Sequence, residues 1–443
     1  MTEFKRSNII MFFIGLGAAT KVYLGGIIAL SELAVFVAAP ILLFSNYQEY
    51  KRSEITIVLW LSLVMILGCF IACLVNGVHW IFFIKSGMTF YSIFAMVTVF
   101  YFVLRKSFSG IGWFFTGLLI STVISIFVLN PQILMDERSV ELIGQADVTE
   151  QMEGVLFWYP KIGQLLRLPT SGWYFKVPMI YSAIAPIIAA ATAIFVSVSG
   201  RGFAAMGLLS FALIVYCRKS RRRMGSLGRH FVIFVIMGLC VAVGIKNLYS
   251  YTASTGLLGE EARNKYFAQT HGDSSFLRIL IGGRTEFFIA IRAMIDNPIV
   301  GIGPAAEDKK GYVKEFLRKY GDQEDYDSYI RYRMAFPGKV EMIPQHSIFT
   351  QFWGNSGISG LVFCIYYLYL LYIYFRRYAA SIPQLFGYFS LAIPPSIFSL
   401  FFNPYSERVT WPLLITCLLL ARAVGKGKLQ LPYEMEMEAR KYE

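Results

Sequence analysis

The chain has 443 residues, 56% of them hydrophobic and only 16% charged, with a mean hydropathy of +0.54. Soluble domains carry about 25% charged residues, so the composition excludes an ordinary soluble enzyme and points to an all-α, polytopic membrane protein. The net charge of +13 invites a nucleic-acid partner, but the basic residues sit in short loops between apolar stretches, where the positive-inside rule accounts for them.

Apolar stretches fall near 8–20, 23–44, 55–76, 80–104, 109–130, 177–199, 203–217, 230–247, 348–375, 383–402 and 408–424. Several match the roughly 20 residues needed to cross the hydrocarbon core, which predicts about 10–12 transmembrane segments. The N-terminal apolar region, 8–44, is too long for a cleavable signal peptide and lacks a cleavage site. Lys51-Arg52, Arg105-Lys106, the cluster from Arg218 to Arg229, and Arg376-Arg377 place the loops 46–54, 104–108, 217–229 and 376–380 in the cytoplasm. Arg422, Lys426 and Lys428 place the C-terminal tail there too.

Parity requires an even number of crossings between Arg105 and Arg218, yet three apolar segments lie there. Pro178 and Pro186 mark 177–199 as a broken or re-entrant segment. Irregular backbone at membrane depth is tolerated only when buried in protein or lining a wet cavity, so a cavity is expected near Arg201. The resulting organisation is an N-terminal bundle (1–130), an external loop (131–176), central spans (177–248), a large extracytoplasmic insert (249–345), C-terminal spans (346–428) and a cytoplasmic tail (429–443). The insert holds 13 Lys+Arg and 13 Asp+Glu, so the basic excess lies elsewhere, which favours the outer side for it. All six cysteines lie in or at the ends of apolar segments; neither a disulfide framework nor zinc spacing is present, and helix packing is their expected role.

Four histidines are present. His79, beside Trp80, reads as interfacial, His230 ends a basic loop, and His271 lies in a polar loop. His346 stands where the insert re-enters the membrane, at the depth of a lipid-linked substrate. An imidazole there is suited to proton transfer near neutral pH; the alternative is a helix-start histidine bonded to backbone. Arg284 follows two glycines and precedes an amphipathic helix, Thr285 to Ile295, with Thr285 or a neighbour as its cap. Flexible backbone, a helix N-terminus and a guanidinium make a phosphate site; the alternative is a surface arginine paired with Glu286 or Asp296. Arg201, between Gly200 and Gly202 at a membrane boundary, is either functional or an anchor. Arg292 and Gly303 have a suggestive but weak spacing. Arg331 and Arg333, among Tyr326, Tyr329 and Tyr332, fit a folded extramembrane helix. No nucleotide fingerprint appears, so a donor used here must carry its own leaving group.

Gly283-Arg284-Thr285-Glu286, the helix to Asp296-Asn297-Pro298, and Gly301-Ile302-Gly303-Pro304 together resemble the core motif of the O-antigen polymerase and ligase superfamily. Pro344-Gln345-His346-Ser347, then Phe352 and Gly357-Ile358-Ser359-Gly360, resembles that family's closing motif. Ser199-Gly200-Arg201-Gly202 resembles its earlier arginine element. The likeness covers roughly 170–365. Family members commonly have Asn where this chain has Ser347, and Ser-Arg-Gly where Gly200 intervenes here.

The resemblance implies a glycosyltransferase C-like helical fold in the bacterial inner membrane, with the active site facing the periplasm. It implies an undecaprenyl-pyrophosphate-linked oligosaccharide as substrate, membrane lipids as surroundings, and room for a chain-length regulator as partner. Arg201 and Arg284, with Arg292, would hold the pyrophosphate. His346 would take the acceptor proton. Neither a cofactor nor a metal is expected, since arginines can offset charge on a departing pyrophosphate. Repeat-unit polymerisation is the leading activity; ligation to lipid A-core differs only in acceptor. A lipid-linked glycan transporter would place more charge within the spans than Glu32 and Lys85, and a scaffold would not need arginines and a histidine gathered at the outer surface.

Overall fold

The computed structural model describes residues 2–18, 21–23, 27–127, 250–257, 260, 263, 266–267, 285–320, 323–335, 341–378, 385–402 and 409–430. Arg201, Arg284, His230, His271 and the broken segment expected at 177–199 lie outside the described residues. Helices dominate: α1 (Thr2–Ala18), α2 (Leu30–Ser45), α3 (Tyr47–Arg52), α4 (Thr56–Asn76), α5 (Trp80–Leu104) and α6 (Gly110–Phe127), then α7 (Thr285–Asp296), α8 (Tyr312–Tyr320) and α9 (Gln323–Ala335). The chain continues with α10 (Ile348–Ser356), α11 (Ile358–Ile373, running into a π turn), α12 (Phe386–Phe402) and α13 (Thr410–Gly425).

Among the described residues, α4 and α5 are long and apolar enough to cross a membrane. With 21 and 25 residues they reach about 31 and 37 Å at 1.5 Å per residue. One face of α4, with Val58, Met65, Cys69 and Ala72, packs inward, while Trp60, Leu67, Phe70 and Leu74 stand exposed on the other. In water such a face costs about 25 cal/mol per Å²; hydrocarbon removes that cost. α4 stops at Gly77, and His79 then starts α5, its Nδ1 accepting the Ile81 N–H at 3.3 Å. The interfacial histidine is therefore a helix cap.

The expected segment 23–44 is not one helix. Lys21–Tyr23 pairs antiparallel with Ile27–Ala29, and α2 begins only at Leu30. Glu32, expected inside a span, instead sits in the first turn of α2. Its Oε2 accepts the Ala29 N–H at 2.8 Å and its Oε1 the Ser92 hydroxyl at 2.8 Å. Polarity totals along a window miss this, because the carboxylate is satisfied by a helix N-terminus whose dipole favours it. That hairpin is the chief departure from an all-α fold among the described residues. α1 and α6 touch backbone to backbone: a Cβ on Gly15 would meet the Phe114 carbonyl, and one on Gly117 the Phe12 carbonyl, the small-residue contact typical of membrane helices.

The expected segment 348–375 is also divided. Gly357, at φ 62° and ψ −144°, ends α10 and turns the chain into α11. That conformation is close to glycine-only. α10 packs against α4, α7, α11 and α12. Beside it Trp411 of α13 meets the rings of Phe352, Phe363 and Tyr367 at 4.7–6.0 Å between centroids. Cys69, Cys73, Cys364 and Cys417 are buried, free thiols that fill the core.

At one end of the bundle, three segments expected on the same membrane side come together. Arg105 pairs with Glu49, and Glu54 gathers Arg422 Nε at 3.0 Å, Lys426 Nζ at 3.0 Å and Lys428 Nζ at 2.9 Å. Burial alone would raise the Glu54 carboxyl, but the Lys428 and Lys426 ammoniums and the Arg422 guanidinium outweigh it and hold it below the usual carboxylate range.

Candidate active site around His346

The site is built where two stretches, far apart in sequence, are stapled together. The turn after α7 runs Asn297-Pro298-Ile299-Val300-Gly301-Ile302-Gly303. Its Ile302 and Gly303 N–H groups both donate to the Gly354 carbonyl at 2.9 Å, and the Ile358 N–H donates back to the Ile299 carbonyl at 2.9 Å. Trp353 Nε1 donates to the Pro298 carbonyl at 3.0 Å, and Gln345 Nε2 to the Gly303 carbonyl at 3.1 Å. Asn76, the last residue of α4, adds a bond to the Gly301 carbonyl at 3.2 Å. Gly301 has φ 81°, and a Cβ there would press on the Gly354 and Trp353 carbonyls. The glycines are thus needed for turn geometry and close approach of backbone.

Beneath this staple lies a small second core of Ile289, Ala290, Ala293, Met294, Ile302, Ala306, Tyr312 and Ile343. It seats α7 by one face, as the apolar spacing of that helix requires. Asp308 caps α8, its two carboxylate oxygens accepting the Tyr312 and Val313 N–H groups at 2.8 and 2.9 Å. The Tyr312 hydroxyl donates to Asp296 Oδ2 at 3.0 Å. Burial and that carboxylate push the phenol up to about 12, so it stays a donor at neutral pH. α9 is a helix around Arg331 and Arg333, as expected, and its Tyr329 hydroxyl donates to Glu341 at 2.6 Å.

His346 directly precedes α10, half-buried. Its neighbour Ser347 is the N-cap: the Ser347 Oγ accepts the Thr350 N–H at 3.0 Å while the Thr350 hydroxyl accepts the Ser347 N–H at 3.1 Å. Serine and asparagine cap about equally well, so the departure from the common family residue leaves this helix start intact. The His346 Nε2 lies 3.2 Å from Glu286 Oε2, with side chains 30% and 55% exposed. The imidazole therefore meets a side-chain carboxylate on the first turn of α7, an arrangement that orients a proton-transfer group.

Of the four residues expected to carry the reaction, His346 and Arg292 are described, and Arg201 and Arg284 lie outside the described residues. Arg292 is exposed on α7, with its Nη1 3.5 Å from Asp296 Oδ1. Six residues separate it from Glu286, about a third of a turn around the helix, so it does not share the face that meets His346. Among the described residues, Glu286 meets His346, and Asp296 is shared by Arg292, Lys310 and Tyr312. Sequence reasoning missed Glu286 and Gln345 as parts of the site. Both stood in the quoted motifs, but a contact across sixty residues of chain has no local signal.

Residues 185–365 match the family model described as O-antigen ligase. The likeness is to that family's domain and spans less than half of the chain. The matched stretch contains the staple, the second core, α10 and the His346–Glu286 pair, and it ends within α11. No curated protein and no solved structure matches the chain.

Proposed function

We propose that the protein is a membrane-embedded glycosyltransferase that takes a glycan from a polyprenyl-pyrophosphate carrier and passes it to a sugar hydroxyl. The observation that carries this is the His346–Glu286 pair, 3.2 Å apart and half-open to solvent, inside the matched domain. An acceptor hydroxyl reaching His346 would give up its proton as its oxygen attacks the anomeric carbon. The bond from that carbon to the phosphate oxygen breaks, and the pyrophosphate leaves with the electron pair. Arg284, one peptide bond before Thr285 of α7, and Arg201 are the cations assigned to that leaving charge. Arg292 joins them only by exchanging Asp296 for the phosphate. With charge supplied by arginines, turnover persists in EDTA; its loss, restored by a divalent ion, contradicts this.

The bundle is read as multi-pass in the bacterial inner membrane, with 249–345 on the periplasmic side. A cysteine placed at Asp325 then labels with an impermeant thiol reagent in intact spheroplasts, and labelling only after lysis reverses the topology. Repeat-unit polymerisation is the first reading of the acceptor, resting on the resemblance and on the absence of any feature singling out a lipid A-core. Ligation to lipid A-core is the second, favoured by the description of the matched family. Deleting the gene separates them on a surface-glycan gel: single repeats on lipid A mean polymerase, whereas loss of all glycan with lipid-linked polymer accumulating means ligase.

A further inference from the structure

We propose that the Glu54 cluster is a headgroup site for an anionic phospholipid, with the lipid phosphate held by Arg422, Lys426, Lys428 and Tyr366. This goes beyond the proposed transfer reaction and rests only on the reading of the bundle as membrane-embedded. Within the cluster one carboxylate faces three cations, which leaves two positive charges to be met from outside those groups. Arg422 lies deepest, with its side chain 13% exposed. Its Nη1 is buried without a hydrogen-bond partner, and so is the Tyr366 hydroxyl beside it. A buried donor left unpaired is costly, and a charged phosphate oxygen is an acceptor suited to a guanidinium and a phenol together.

The ligand is a lipid because apolar surface leads up to the cluster. On α11, Ile358, Val362, Ile365 and Tyr369 recur every three or four residues, all exposed, and so form one stripe along the helix. The stripe ends at the cluster: the Arg422 guanidinium lies 6.0 Å from the Tyr369 ring centroid, and that ring lies 6.2 Å from the ring of Tyr366. α4, which packs against α11, begins just after Glu54 and exposes Ile57, Trp60 and Val64 in its first turns. An acyl chain can lie along such surface while its phosphate meets the cations. A free phosphate, or the carboxylates of a peptide, would use the cations alone. Each Lys or Arg at a membrane surface strengthens attraction to anionic headgroups about fivefold. On the topology set by the basic anchors, this end meets the cytoplasmic leaflet.

The test uses the full chain in nanodiscs of mixed phosphatidylglycerol and phosphatidylcholine, with the lipids that stay bound after release counted by native mass spectrometry. The parent protein should retain phosphatidylglycerol over phosphatidylcholine by about 25-fold, fivefold for each of the two unmatched charges. Lys426→Gln with Lys428→Gln leaves Glu54 paired with Arg422 and should abolish that preference. Lys51→Gln with Arg52→Gln removes the same charge from exposed positions on α3 at the same end, and should lower it less than about fivefold. Tyr366→Phe should lower it about tenfold, yet melt in pure phosphatidylcholine no lower than the parent, since the hydroxyl removed has no hydrogen-bond partner in the protein. Equal losses in the two double variants mean a diffuse surface field and overturn the site. Inorganic phosphate that stabilises the parent in pure phosphatidylcholine, but not Lys426→Gln with Lys428→Gln, makes it a site for soluble anions and overturns the lipid. No preference in the parent also overturns it, and a preference appearing only when Glu434, Glu436 and Glu438 are changed to Gln names the acidic tail as occupant instead. A chain that does not enter nanodiscs at all overturns the membrane reading beneath the proposal, whereas normal glycan transfer without lipid preference overturns the lipid site alone.

Discussion

Two glutamates in this chain meet cations in opposite ways. Glu54 is buried and over-neutralised: one carboxylate gathers an arginine and two lysines, and ties the end of α13 to the start of α4. Glu286 stands half in solvent and, among the described residues, meets the His346 imidazole, whose charge depends on a proton. A crowded, permanently charged cluster suits holding two helices together, because nothing in it changes during a reaction. A half-exposed pair with a titrating imidazole suits chemistry, because a proton arriving on the ring changes its charge by a whole unit. The difference shows that ion-pair count is a poor guide to function and that the protonation state of the partner is a good one.

The largest effect separates the two directly. His346→Ala should lose about 10²- to 10⁴-fold in turnover while melting like the parent protein, whereas Glu54→Gln should keep its turnover per folded molecule. Expression-matched glycan synthesis alongside detergent melting curves measures both; a stable but fully active His346→Ala breaks the comparison. Next comes the joint that carries the site. Gly357→Ala forces a side chain into a conformation costing about 1–3 kcal/mol, with its Cβ pressed on the Ile299 and Val300 backbone. It should lower stability and turnover together, a combination that neither His346→Ala nor Glu54→Gln gives.

Glu54→Gln leaves three cations around a neutral group. It should cost about 1–3 kcal/mol, below the full value for a deeply buried pair because the lysines are partly solvated. Its signature is in pH. The folded-state pKa of Glu54 is depressed, so its contribution is fully present above the unfolded value of about 4.3. It is lost as pH falls through the folded value. Melting temperature measured from pH 7 downward should stay level until the carboxylate range and then drop, and Glu54→Gln should flatten that drop. The smallest effect is at the cap: Ser347→Ala should cost about 1 kcal/mol and blunt turnover by loosening the backbone beside His346, as read from melting and kcat together.

Much of this architecture is written in hydropathy. The apolar stretches at 55–76, 80–104 and 109–130 coincide with α4, α5 and α6 to within a few residues, because long apolar runs leave the backbone no choice but helix. What hydropathy hides is the backbone's own hydrogen bonding. The hairpin at Lys21–Ala29 and the break at Gly357 fall inside stretches that average as apolar, and only φ, ψ and carbonyl partners reveal them. At the site, His346 was legible from its place at the end of the insert. Glu286 was not, since its contact with His346 is made by packing of α7 on α10 and not by anything local to Thr285-Glu286.

The insert leaves the staple at Asp308 and returns at Glu341 through a narrow neck, in which Asp308 N–H donates to the Glu341 carbonyl and Ile343 N–H to the Ala306 carbonyl, both at 2.8 Å. Between those points Tyr312 still packs in the second core and bonds Asp296, so the freer part of the excursion lies beyond α8. Lengthening such a loop twofold adds only about 0.6 kcal/mol of closure entropy, and the added residues shift neither Gly303 nor His346. A lineage can therefore lengthen or shorten the chain beyond α8 while the neck and the Tyr312 contacts keep α7 in place. Evolvability of whatever that excursion contacts is built into two backbone hydrogen bonds and one buried phenol.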